Sequence, residues 1–318
     1  MIRLALLICL FPGRNVFAEG LVLDGPEFTA TNISIVWNAP TNHWPTSLWV
    51  YKVVPQEFSS VAVSNLMAIG GFTMKDRSHI EGQRPDKRLL YFANRERTRH
   101  LGIVPMLGWA YYRDEKARDV GKERAKGVPS EAEALDLALK WLDKLRLSRD
   151  DLARRDDSSE FYVNRDVRER SWRDKTTGEH MKEVISRGVS FVRRVDGVDF
   201  TGIGSDAGFY VSFGSEARVA DLELVWRNLK RDRRRTAASP EEILERIKRG
   251  KARMVPMTAV DLKNANSLTV DKAEPCYLGE SGDTPQEFVY PFAALECTIE
   301  FQDRPKTRVA IKCPIISD

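Results

Sequence analysis

The sequence predicts an α+β protein in two lobes, with antiparallel sheets each packed by helices. Three features carry this. Two short amphipathic segments open on complete capping boxes, runs of apolar alternation end in glycine, proline or asparagine turns, and the two kinds of segment follow one another along the chain. At 318 residues one core nears its size limit, so two domains are expected. With 42% hydrophobic and 30% charged residues the chain has the balance of a water-soluble globular protein. A net charge of +4, diluted among 46 acids, does not select nucleic acid or an anionic membrane as partner.

The first element is an export signal. Arg3 precedes an apolar run over 4–11, which Pro12 and Gly13 break at about half the length of a bilayer span. Val16-Phe17-Ala18 offers a small residue for signal peptidase, so residues 1–18 are expected to be removed, leaving a secreted or periplasmic chain that starts at Glu19 and has no integral span. A lipoprotein reading of Cys9 is weaker, because Ile8 is bulky and the apolar run continues past it.

An N-terminal lobe over 19–120 follows. Strands are expected over 31–37 and 48–54, joined by the proline- and asparagine-rich loop 38–45, then a helix over 58–69 capped by Ser59 or Ser60 and stopped by Gly70-Gly71. Further strands are expected over 89–92 and 102–112, and the charged, glycine-bearing stretch 113–129 reads as a linker.

The second lobe spans 128–318. Ser130-Glu131-Ala132-Glu133 is a capping box, and Leu135, Ala138, Leu139 and Leu142 make an apolar stripe behind it. Residues 146–175 nearly cancel in charge and read as a solvated connector. An antiparallel meander is expected from 189 to 226, with Asp196-Gly197 as a hairpin turn. Ser239-Pro240-Glu241-Glu242 then caps a helix with Ile243, Leu244 and Ile247 inward and Gly250 at its end. A last hairpin turns at 303–307. With its centre at Pro305 it pairs Phe301 with Val309, Ile299 with Ile311, and Cys297 with Cys313, close enough for a disulfide in an oxidising compartment, two buried thiols being the alternative.

The parts beyond 128 resemble PepSY-type modules, the exported domains of peptidase propeptides and of extracellular sensor-kinase regulators. The resemblance lies in the arrangement of the capped helix from Ser130, the strand pair around Asp196-Gly197, the stretch 209–226 with its Phe213-Gly214 turn, the capped helix from Ser239, and the closing segment with Val289-Tyr290-Pro291-Phe292. It implies a helix across an antiparallel sheet and a role in binding, inhibition or regulation. It carries over no site residues.

His43, His79, His100 and His180 have no metal spacing, and no HExxH or CxxC occurs, so neither a metal nor a catalytic residue is assigned. The glycines of 202–208 miss the dinucleotide fingerprint by one residue and precede a strand, so no cofactor is assigned. Two contact segments remain. His43, Trp44 and Pro45 put an aromatic anchor in a loop. Arg233, Arg234 and Arg235 close a basic run, a solvated loop by the bland reading and otherwise a weak contact for an anionic surface or acidic patch. The expected function is therefore an exported binding or regulatory protein whose partner is another envelope or secreted protein, without nucleic acid. A secreted hydrolase with a site assembled in three dimensions and a carbohydrate-binding module are the alternatives. Asn32 opens a glycosylation sequon.

Overall fold

A computed structural model describes residues 25–30, 33–54, 58–78, 89–118, 124–155, 158–174, 176–201, 208–255, 258–279 and 285–316. The expected leader over 1–18, Asn32, His79 and the loop 202–207 lie outside them. In chain order the elements are β1 (Glu27–Phe28), β2 (Ser34–Trp37), β3 (Ser47–Val54), α1 (Ser60–Gly70), β4 (Arg77–Ser78), β5 (Leu90–Ala93), β6 (Arg99–Val104), β7 (Trp109–Asp114), α2 (Glu115–Arg118), α3 (Glu131–Leu145), β8 (Val163–Arg173), β9 (His180–Val192), β10 (Arg194–Val195), β11 (Val198–Thr201), β12 (Gly208–Phe213), β13 (Val219–Val225), β14 (Asn228–Thr236), α4 (Pro240–Lys248), β15 (Ala252–Met254), β16 (Ala265–Leu278), β17 (Phe288–Val289), β18 (Pro291–Phe301) and β19 (Thr307–Pro314).

The fold class differs from the α+β expectation: the chain is mostly β, 50% in strands against 20% helical, with several large antiparallel sheets. Part of the reason is that two charge-rich stretches, expected as connector and loop, are the strands β8 and β14. Both are end strands of their sheets. An end strand keeps water on most of its side chains, so β8, with the pattern VNRDVRERSWR, has no apolar alternation to betray it.

The chain divides into two units, one of residues 51–231 with 277–289, the other of 1–50, 232–276 and 290–318. The first is built on an eight-stranded antiparallel sheet, order β4-β5-β6-β7-β13-β12-β9-β8. Strict alternation sends Phe92, Leu101, Tyr112, Leu222, Val211 and Val189 to one face, where Ala62 and Leu66 of α1 and Ala134, Ala138 and Leu142 of α3 complete the core. Burying each of the larger side chains contributes about 1.5–3 kcal/mol. Both helices start where their caps dictate: the Ser59 hydroxyl accepts from Ala62 N, and Ser130 and Glu133 close a reciprocal capping box. Gly71 ends α1 at φ 67°, a left-handed conformation that favours glycine. Asp196 (φ 50°) and Gly197 (φ 78°) make the expected turn between β10 and β11.

In the second unit β1, β15, β19, β18 and β16 are successive neighbours, antiparallel from β1 through β18, and β2 pairs in parallel with β16. The helix α4 has the expected Ser239–Glu242 capping box and buries Ile243 and Ile247. The β18–β19 hairpin has the expected apolar face but another register. Cys297 lies opposite Val309, Leu295 opposite Ile311, and Cys313 opposite Ala293. The hairpin therefore centres on Asp303, two residues before Pro305, which slides the strands by an even step that keeps Cys297, Ile299, Val309, Ile311 and Cys313 buried while separating the two cysteines. The Cys297–Cys313 disulfide is thereby corrected, and no disulfide forms among the described residues.

Burial raises the Cys297 thiol well above its ordinary range and pushes the Cys313 thiol up to about 12. A raised thiol leaves stability intact below the unfolded value and removes it as pH climbs towards the folded one, at about 1.4 kcal/mol per pH unit for each group. Urea unfolding should therefore show stability falling from about pH 8.5 upward, and Cys297→Ala with Cys313→Ala should flatten that fall. Unchanged slopes would contradict the assignment, as would a mass change on reducing the native protein.

Candidate functional site

The other face of the eight-stranded sheet is the candidate site. Because side chains alternate, the partners of the core row form their own rows on the opposite side. One runs Tyr91, Gly102, Tyr111, Glu223, Tyr210, Ser190, Asn164, each directly opposite the next across seven strands. Beside it runs Ala93, His100, Arg113, Asp221, Ser212, Gly188, Asp166. Tyr91, Tyr111 and Tyr210 thus stand two strands apart in turn, about 10 Å at ordinary strand spacing.

Glycines make room for these rings. A Cβ on Gly102 would lie 2.2 Å from Tyr111 Cε1, and one on Gly188 would lie 2.8 Å from the Tyr210 ring. Each tyrosine therefore fills the space over a neighbouring strand's glycine. Trp109 extends the aromatic surface, its ring 5.1 Å from that of Tyr111, and the Tyr91 hydroxyl meets His100 Nδ1 at 2.7 Å. Burial raises the phenols of Tyr91, Tyr111 and Tyr210, so all three keep their protons at neutral pH.

The charged row makes a cleft of about 160 Å³ between Tyr111 and Tyr210. Asp221 is its hub. Arg118 of α2 lies 3.1 Å from the carboxylate and Arg113 3.4 Å, and the Ser212 hydroxyl accepts from Asp221 N at 3.1 Å. Asp166 and Arg168 close the cleft from β8, with the Tyr210 hydroxyl 3.4 Å from Asp166. Three arginines against Asp166, Asp221 and Glu223 leave it without net charge. The arrangement offers aromatic surface flanked by charged and hydroxyl groups. No group of three or more His, Cys, Asp or Glu able to hold a metal occurs among the described residues, and no helix there is long and apolar enough to cross a membrane.

The two segments singled out from the sequence lie in the other unit. His43 is exposed, Trp44 and Pro45 half-buried. Trp44 Nε1 donates to Ala238 O at 2.8 Å and its ring meets Trp37 edge-on at 5.3 Å, so the indole is held inside its own unit. Thr46 O accepts from Ala237 N at 3.0 Å, which brings this loop beside the end of β14, the strand that carries Arg233, Arg234 and Arg235. Arg233 donates to Asp232 at 2.6 Å and is half-buried with Arg235, while Arg234 is exposed. Loop and basic strand are thus neighbours. Neither belongs to the unit that carries the tyrosine face, whose signal in the sequence is the doublet Tyr111-Tyr112: adjacent residues of a strand must point to opposite faces.

No family model matches the chain, and no curated protein matches it in sequence. Among solved structures it is similar to an uncharacterized protein from Eubacterium rectale, with 10% identity over 88% of this chain and 86% of that one and a TM-score of 0.48.

The glycine–tyrosine contact is open to a double-mutant cycle. Gly102→Ala should destabilise the protein by about 1–3 kcal/mol through overpacking against Tyr111, and the same change in a Tyr111→Ala background should cost far less. Additive effects in thermal or urea unfolding would contradict the contact.

Proposed function

We propose that the chain is an exported binding or regulatory protein that contacts another envelope protein through the tyrosine–arginine face, the role that the PepSY-type resemblance also implies. The observation that supports it is the composition of two adjacent rows on one sheet face. Tyrosine, tryptophan and arginine are the residues that anchor protein interfaces, and here Tyr91, Trp109, Tyr111, Tyr210, Arg113 and Arg168 share one surface. The rings of Tyr111 and Tyr210 are pre-set over glycines, which lowers the ordering cost of binding. The balanced charge of the cleft favours a partner with charges of both signs.

One observation favours a second reading, a carbohydrate ligand: tyrosines repeating every second strand along a straight row suit a chain of sugar rings flanked by polar groups.

A photo-crosslinking residue in place of Arg113 should give one discrete protein adduct in the envelope fraction of the source cell. Tyr111→Ala with Tyr210→Ala should abolish it, each anchor being worth about thirtyfold in affinity. An adduct indifferent to the tyrosines, or none, would contradict the proposal. Retention on an insoluble polysaccharide that the same double change abolishes would select the second reading. Export has its own test, since the N-terminal sequence of the protein isolated from envelope or medium should begin at Glu19.

A further inference from the structure

β8 ends the eight-stranded sheet, and among the described residues it has a strand neighbour on one side only, β9. At eleven residues it is a long edge, and it presents apolar side chains to water: Val167 is 43% exposed and Tyr162, just before the strand, 44%. Such an edge is a template for another strand, which proteins normally guard with charge. Here the charges do something more selective.

We propose that β8 pairs antiparallel with β8 of a second copy of this chain, with Val167 opposite itself on a twofold axis. The argument is register. Twofold symmetry about an antiparallel pair places one residue opposite its own counterpart. Of the five central residues Arg165, Asp166, Val167, Arg168 and Glu169, four would then set like charges against each other, which destabilises directly opposed pairs. Val167 alone is neutral. With Val167 at the axis, Asp166 faces Arg168 of the second copy and Arg165 faces Glu169, each pair occurring twice. One step outward Asn164 faces Arg170, then Val163 faces Ser171, and Tyr162 faces Trp172. Every central charge meets its opposite, apolar meets apolar at the axis, and aromatic meets aromatic at both ends.

Existing contacts are compatible with this. Arg165 bonds to Glu131 of α3, Lys182 lies 3.8 Å from Glu169, and Arg170 donates to Glu183 at 2.7 Å. These lie within the sheet and its helix, and leave the outer backbone edge of β8 to a new strand. The axis stands perpendicular to the sheet, so both tyrosine faces end on the same side and form one bivalent surface. That consequence rests on the functional reading above; the pairing itself does not.

The test is sedimentation velocity of the mature chain over a range of concentrations, with charge reversals. The unaltered protein should dimerise. Asp166→Arg alone and Arg168→Asp alone should each weaken the dimer about tenfold or more, since each sets two like-charge pairs across the axis, and the two together should restore it. Val167→Cys should form an intermolecular disulfide on mild oxidation, whereas Arg165→Cys, four residues off its own counterpart, should not. Circular dichroism of each variant separates loss of pairing from loss of fold. A monomer at every concentration would overturn the proposal. So would a dimer indifferent to both single reversals, or one that the combined reversal fails to restore. Tyr111→Ala with Tyr210→Ala should leave the dimer intact, so failure of the binding face and failure of the pairing are read separately.

Discussion

Cross-strand register governs the larger unit. Six strands carry a two-residue period in phase, so that Phe92, Leu101, Tyr112, Leu222, Val211 and Val189 line up under α1 and α3 while Tyr91, Tyr111, Glu223 and Tyr210 line up on the opposite side. A slip of one residue in any strand would exchange the two sets. Moving β13 by one would bring Asp221 or Glu223 under the helices and expose Leu222 and Leu224. Burying such a carboxylate without its arginines costs several kcal/mol, which is of the order of a domain's whole stability. The core thereby selects the composition and geometry of the outer face.

Smaller devices hold the register locally. Gly102 and Gly188 accept tyrosine rings that a Cβ at either place would displace, so each pair reads its neighbour's position across the sheet. At the β10–β11 turn Asp196 accepts hydrogen bonds from Arg231 at 2.6 and 3.0 Å and from the Tyr51 hydroxyl. Arg231 holds the carboxylate below its ordinary range, and burial pushes the Tyr51 phenol up to about 12. Nearby, Arg193 is almost fully buried, donating to Arg227 O at 2.6 Å and lying 4.8 Å from the Trp226 ring. A buried guanidinium so placed tolerates little displacement of its carbonyl partner, which ties β9 to the segment after β13.

What could be read from the sequence was local. The caps of α3 and α4, the glycine stop of α1, the Asp196-Gly197 turn and the inward face of the last hairpin all depend on residues within a few positions of one another, and each stands where its signal put it. The hairpin register did not, because Pro305 is a weaker guide to the centre of a turn than the pairing of the whole strands. Strands β8 and β14 were hidden by their charge, and with them the dominance of sheet over helix. The tyrosine face was hidden by distance: Tyr210 comes from a strand far along the chain from those of Tyr91 and Tyr111, and it joins their row only through β7–β13 and β13–β12 pairing. Trp44 reads in the sequence as a loop aromatic, whereas its indole is engaged by Ala238 and Trp37.

The most direct measurement is a scan of single cysteines along neighbouring strand positions, read by thiol labelling of the native protein. Cysteines at 91, 111, 223, 210, 190 and 164 should label readily, and those at 92, 101, 112, 222, 211 and 189 only after unfolding, the buried thiols of Cys276, Cys297 and Cys313 staying silent in the folded protein. Labelling without that alternation, or with the two sets exchanged, would contradict the two-faced sheet on which the rest is built.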